Sequence, residues 1–158
     1  MKILLIGNGG RENAIAWKIS NSDSFFKSGG NLFCTKGNPG IEKYAESIDI
    51  DQTDISSLIK FAEAEKIDFT IVGPEFPLSM GIVDEFEKKG FKIFGPTKKA
   101  AEIETSKIFA KKLMLDNNIP TANYKAFSKV DFSDAVKFID ECKYPLVFKA
   151  DGLAAGKG

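Results

Sequence analysis

The sequence predicts an α/β protein built on a doubly wound parallel sheet, and three observations carry that prediction. Short apolar runs alternate with helical periodicity along the first hundred residues, the pattern of successive βαβ units. Three of those runs end in glycine or proline turns: GNGG after Ile6, GP after Val72 and GP after Phe94. The intervening segments carry one-sided apolar stripes, as helices packed on a sheet require.

Residues 2–6 (KILLI) read as the first strand. After the glycines, residues 11–20 read as a helix, with Ala14, Ile15 and Ile19 on one side and Trp17 and Lys18 flanking it. Residues 31–35 and 47–50 supply the second and third strands. Asp54 then starts a helix whose Ile55, Leu58, Ile59 and Ala62 fall at i, i+3, i+4 and i+7. Residues 68–72 form the fourth strand, and Ile82, Val83 and Phe86 mark a helix closed by Gly90 in a left-handed conformation. Residues 91–94 complete a five-stranded sheet. Beyond it, residues 97–118 read as helix with no intervening strand, and Ile119-Pro120 marks a junction. A strand at 124–127, a helix with Phe132, Ala135, Val136 and Ile139 as its stripe, and a strand at 145–150 follow.

Composition narrows the function. The chain of 158 residues has 43% hydrophobic and 28% charged residues, ordinary for a globular protein. Its 22 basic and 22 acidic side chains cancel, so no overall field recruits nucleic acid, although a local basic patch stays open. No apolar run approaches the roughly 20 residues needed to cross a bilayer, so no membrane partner is expected. Cys34 and Cys142 form no CxxC pair and fit a reducing compartment, and the expected location is the cytoplasm. Histidine is absent, which removes a Ser-His-Asp triad, a Cys-His dyad and histidine zinc sites. Chemistry must rest on lysines, carboxylates, backbone amides or a bound metal.

Three motifs stand where such chemistry could occur. In GNGGRE, residues 7–12, a glycine turn at the end of the first strand brings backbone N–H groups and a helix N-terminus to one point, a ready anion site. A dinucleotide fingerprint needs Gly or Ala where Glu12 stands and an acid where the second strand ends in Thr35-Lys36, so NAD is disfavoured. Arg11 can fork onto a phosphate; the plain alternative is a tight turn with no ligand and a solvated arginine. Glu75, in VGPEFPL, can accept from a sugar hydroxyl or an amine, or simply charge the first turn of a helix. FKADGLAAGKG, residues 148–158, fails the Walker A template, with three residues between Gly152 and Gly156 and Gly158 at the Ser/Thr position. It leaves a strand carrying Lys149 inward, where an unpaired charge costs several kcal/mol, and a loop with Gly152, Gly156 and Lys157 able to close over a polyphosphate.

Together, GNGGREN (7–13), IVGPEFPLSMGIVDEF (71–86), IFGPTKKAAEIETSKIFAKKLM (93–114), IPTANY (119–124) and FKADGLAAGKG (148–158) resemble the phosphoribosylamine–glycine ligases, or glycinamide ribonucleotide synthetases, of the ATP-grasp superfamily. This chain has Asn13, Phe76 and Thr105 where that family usually has His, Ala and Gly. The resemblance implies a Rossmann-like pre-ATP-grasp domain over residues 1–104, a linking helix over 105–120, and the incomplete start of an ATP-grasp domain over 121–158. It implies ligation of glycine to 5-phosphoribosylamine in purine biosynthesis through glycyl phosphate, releasing ADP and phosphate. Gly9, Gly10, Arg11 and Glu75 would form the phosphoribosylamine side, while Lys107, Lys149, Gly152, Gly156 and Lys157 would meet ATP. Mg2+ or Mn2+ would be held by residues beyond 158, none in this stretch. The expectation is that the isolated stretch does not turn over and partners the remainder of the same enzyme. Competing readings are another ATP-grasp ligase or a biotin-dependent carboxylase, and a non-catalytic sugar-phosphate-binding module.

Overall fold

The structure, a computed structural model, describes residues 1–154. Two compact units divide it, Met1–Ala101 and Glu102–Gly158. The first is organised by strand β1 (Lys2–Ile6), whose side chains alternate between faces as the pleat demands. Ile3 and Leu5 enter one apolar cluster, Leu4 and Ile6 the other, so both faces of the strand are buried and both need a covering layer.

Helix α1 (Gly10–Ser20) and the short α2 (Asp23–Lys27) cover one face and lead to β2 (Asn31–Thr35). A 3-10 turn at Ile41–Lys43 precedes β3 (Glu46–Ile48). Helix α3 (Ile55–Ala64) returns over the other face, its Asp54 cap accepting from the Ser57 N–H at 3.0 Å, and Leu58 and Ala62 are fully buried there. Strand β4 (Phe69–Val72), helices α4 (Glu75–Met80) and α5 (Ile82–Lys88), and β5 (Ile93–Phe94) complete the unit. All strand pairs are parallel in the order β3-β2-β1-β4-β5, with Ile3 in register with Leu32 on one side and Phe69 on the other. The chain winds one way from β1 to β3 and the other way through β4 and β5. The turns after β1 and β4 therefore flank the switch point, where open α/β sheets take ligands.

The expected doubly wound sheet is present, with corrections at element level. On α1, the expected Ile15 and Ile19 pack against the core, but Ala14 faces out, and Glu12 and Ala16 are buried instead. The third strand ends at Ile48, because the Ile50 N–H bonds back to Ile48 O and turns the chain. The fifth strand is shorter than 91–94, because Phe91 leaves the ladder to pack on Phe86 and donates its N–H to Phe86 O. Helices α2 and α4 were not expected, and Gly81, at φ +94°, separates α4 from α5. Gly90 adopts the expected left-handed conformation, at φ +80°.

Helix α6 (Lys98–Thr105) begins with the Ala100 N–H on Thr97 Oγ1, and its Ala101 joins the core of the first unit. The single helix expected over 97–118 is in fact two, since Ser106 adopts extended angles (φ −125°, ψ 116°) and caps α7 (Lys107–Asp116) through the Phe109 N–H. In the second unit α8 (Phe132–Glu141) brings Phe138 to Phe127, with centroids 5.6 Å apart. Phe132 and Val136 of its expected stripe are exposed. The strands expected at 124–127 and 145–150 do not form among the described residues: neither segment has a ladder partner. Val147 is 74% exposed and Phe148 66%, and Lys149 is exposed rather than carried inward, so the burial that argued for it does not hold.

Candidate functional site

At the end of β1, Gly7 sits at φ +115°, and a Cβ there would meet Glu12 Cγ at 2.7 Å and the Pro74 ring at 2.8 Å. Only glycine satisfies both demands. Its N–H donates to Thr35 Oγ1 at 2.8 Å, so the residue that ends β2 secures the turn from beneath. Asn8 donates to Lys36 O at 3.0 Å, and Asn38 donates to Asn8 O, which ties the turns after β1 and β2 together.

Of the residues named from sequence, Gly9, Gly10, Arg11 and Glu75 are brought to one place. Gly10 is the first residue of α1, and a Cβ built on it meets nothing within 4 Å, so this side of the turn is open. Arg11 donates Nη1 to Glu75 Oε1 at 2.8 Å and Nη2 to Glu75 Oε2 at 3.0 Å. That fork spans the switch point, joining the start of α1 to the start of α4. The Arg11 hydrogen bond first, and then a backbone N–H, hold the Glu75 carboxyl below its ordinary value.

The Gly9 N–H, expected to face a ligand, donates to Glu12 Oε2 at 2.6 Å. Glu12, one turn into α1, is only 3% exposed, and its Oε1 has no hydrogen-bond partner. An orphaned buried oxygen of this kind costs about 1–3 kcal/mol. Its carboxylate lies against Gly73, the residue after β4, with no room for a Cβ there. The one sequence signal for Glu12 was negative, since it breaks the dinucleotide fingerprint. Beside it, Asn13 packs on Gly40 and leaves Oδ1 buried without a partner.

In the second unit, Lys107 and Gly152 are brought together, with Lys107 Nζ donating to Gly152 O at 2.7 Å. Asp151, which the sequence reading missed, accepts from the Lys107 N–H at 2.7 Å, the Ile108 N–H at 3.2 Å and the Ser106 hydroxyl at 3.1 Å. The N-terminus of α7 is therefore capped by a carboxylate 44 residues downstream of Lys107. Loss of solvent on its own would raise the Asp151 carboxyl; the Ile108 N–H, the Ser106 hydroxyl and the Lys107 N–H outweigh it and hold the group below its ordinary value. Lys149 makes no hydrogen bond or ion pair with this cluster among the described residues, and Gly156 and Lys157 lie outside them. No group of three or more His, Cys, Asp or Glu able to hold a metal occurs among the described residues. No helix there is long and apolar enough to cross a membrane.

Residues 1–104 match the family model described as phosphoribosylglycinamide synthetase, N domain, and residues 105–158 the one described as that synthetase's ATP-grasp (A) domain. Over 158 residues the chain is 54% identical to a phosphoribosylamine–glycine ligase of Caldanaerobacter subterraneus subsp. tengcongensis, and over 160 residues 49% identical to that of Haemophilus influenzae. All of the chain is covered in both comparisons, and it spans 36% of the length of each relative. A crystal structure of the phosphoribosylamine–glycine ligase from Thermotoga maritima covers all of the chain at a TM-score of 0.67 and 27% identity, with 35% of its own length matched. The biotin carboxylase domain of the Hydrogenobacter thermophilus 2-oxoglutarate carboxylase covers 91% of the chain at a TM-score of 0.67 and 18% identity, with 33% of its own length matched, a likeness of fold alone.

Proposed function

The chain belongs to the phosphoribosylglycinamide synthetase family, and from that membership we infer that it forms the sugar-phosphate side, and the beginning of the nucleotide side, of an ATP-dependent ligase joining glycine to 5-phosphoribosylamine. Residues 1–104 hold the phosphoribosylamine, 105–120 link, and 121–158 begin the ATP-grasp portion. In the reaction, a glycine carboxylate oxygen attacks the γ-phosphorus of ATP and ADP leaves. The amine nitrogen of phosphoribosylamine then attacks the acyl carbon of glycyl phosphate, loses its proton, and phosphate leaves. Such chemistry depends on positioning and charge neutralisation, which suits a chain without histidine. The cytoplasm, where these substrates are free, is the compartment this reading implies.

The observation that carries the reading is the Arg11–Glu75 fork beside the open side of Gly10, at the switch point of the sheet. A ligand phosphate competes with Glu75 for the guanidinium, and Glu75, displaced towards the ribose, accepts from its hydroxyls or amine. In the second unit, phosphoryl oxygens of ATP compete with Gly152 O for Lys107 Nζ, with Lys149 supplying further positive charge; Gly156 and Lys157, assigned to the same ligand, lie outside the described residues. A divalent cation neutralising the ATP phosphates would be held by ligands from the remainder of the enzyme; among the described residues no group of three or more His, Cys, Asp or Glu able to hold one occurs.

Calorimetry with ribose 5-phosphate, a stable stand-in for the amine, tests the sugar side. The unsubstituted chain is expected to bind, and Arg11→Ala to weaken binding about tenfold or more. Absence of binding in both proteins, or equal binding in both, would overturn the assignment of Arg11.

A further inference from the structure

Sheet packing calls for no acid at position 12. In dinucleotide-binding turns the backbone approaches the pyrophosphate after the first strand, and a small third residue of the fingerprint lets helix and strand pack closely. Here that third position carries a carboxylate, almost wholly buried, whose Oε2 takes the Gly9 N–H at 2.6 Å. Its Cγ lies 2.7 Å from where a Gly7 Cβ would be, and its Oε1 lies against Gly73 with no protein donor. Three glycines are thus left bare around one acidic side chain. The amide that the turn would offer to an incoming oxygen is already bonded to one, and a negative group stands behind it.

We propose that Glu12 is a specificity residue, an internal anion that closes the Gly9 amide to pyrophosphate groups. A ligand phosphate is then received on the Gly10 and Arg11 side alone, which favours a monophosphate over a dinucleotide. The orphaned Oε1 fits this role, since the side chain is held buried although only one of its oxygens is satisfied.

The test is a titration of 15N-labelled chain with inorganic pyrophosphate, following the Gly9 amide in the unsubstituted protein and in Glu12→Ala. The unsubstituted protein is expected to leave the Gly9 signal in place, and Glu12→Ala to shift it saturably with about tenfold tighter binding. A saturable Gly9 shift in the unsubstituted protein, or a folded Glu12→Ala that binds no better, overturns the proposal. Should Glu12→Ala fail to fold by circular dichroism, the isosteric, uncharged Glu12→Gln decides: several-fold tighter binding supports the proposal and unchanged binding overturns it. Pyrophosphate carries no ribose, so the result is independent of whether ribose 5-phosphate binds at Arg11.

Discussion

The Glu12 carboxylate leaves no space for a methyl group on Gly73, although Gly73 itself needs no unusual backbone angle. Gly73→Ala is therefore expected to destabilise the fold by about 1–3 kcal/mol through overlap alone. Combining it with Glu12→Ala should return ~1 kcal/mol or more as a coupling in a double-mutant cycle read by urea unfolding; strict additivity would contradict the contact. Arg11 lowers the Glu75 carboxyl, so its contribution is present above the ordinary glutamate range and fades as pH falls through the lowered value. Both partners are well exposed, which limits the pair to about 1 kcal/mol or less. Glu75→Gln should therefore cost under about 1 kcal/mol at neutral pH and nothing in strong acid, measured the same way. Burial, and then the charge of Glu42, push the Cys34 thiol up to about 11. A disulfide reagent at neutral pH should modify Cys142 readily and Cys34 only after unfolding. At this scale the sequence revealed Arg11 and Glu75 through their positions beside turns. Glu12 was read only for what it excludes, because its partners at 7, 9 and 73 meet only in the fold.

Helix α7 owes its start to two side chains from different parts of the sequence. Ser106 caps the Phe109 N–H, and Asp151 reaches back to the Lys107 and Ile108 amides. Ser106→Ala is expected to cost about 1 kcal/mol of local stability. Asp151→Asn should speed hydrogen exchange at the Lys107 and Ile108 amides at neutral pH. With the carboxyl held below its ordinary value, the protection it gives exists above the usual aspartate range and disappears as pH falls through the lowered value. Exchange rates unaffected by Asp151→Asn would contradict the cap. Apolar periodicity runs on across Ser106, and the second partner of the cap lies 45 residues away, so the pattern alone did not show the break; a helix opening near 105 came only from the family resemblance. The runs at 124–127 and 145–150 have strand composition, yet a strand exists only where a ladder accepts it. Helix α4 went unseen for a different reason, since its six residues are too few to establish a period.

Across the whole molecule, the parts that the sequence disclosed are those fixed by local repetition. KILLI is buried on both faces, and a parallel sheet covered by helices is the arrangement that accommodates such a run. Strand order came from the structure alone, in which β1 pairs with both β2 and β4 and so creates the crevice between their turns. What the sequence could not disclose is which donors of that crevice the chain itself occupies: Thr35 on Gly7, Glu12 on Gly9, Glu75 on Arg11. The central claim is that a sugar phosphate enters by taking Arg11 from Glu75. A crystal structure of the chain with ribose 5-phosphate tests it most directly. The account predicts the phosphate against Arg11 and the Gly10 side of the turn, the Gly9–Glu12 bond intact, and the Glu75 carboxylate turned to the ribose; a phosphate seated on the Gly9 amide, or an Arg11–Glu75 fork unchanged with ligand bound elsewhere, would contradict it.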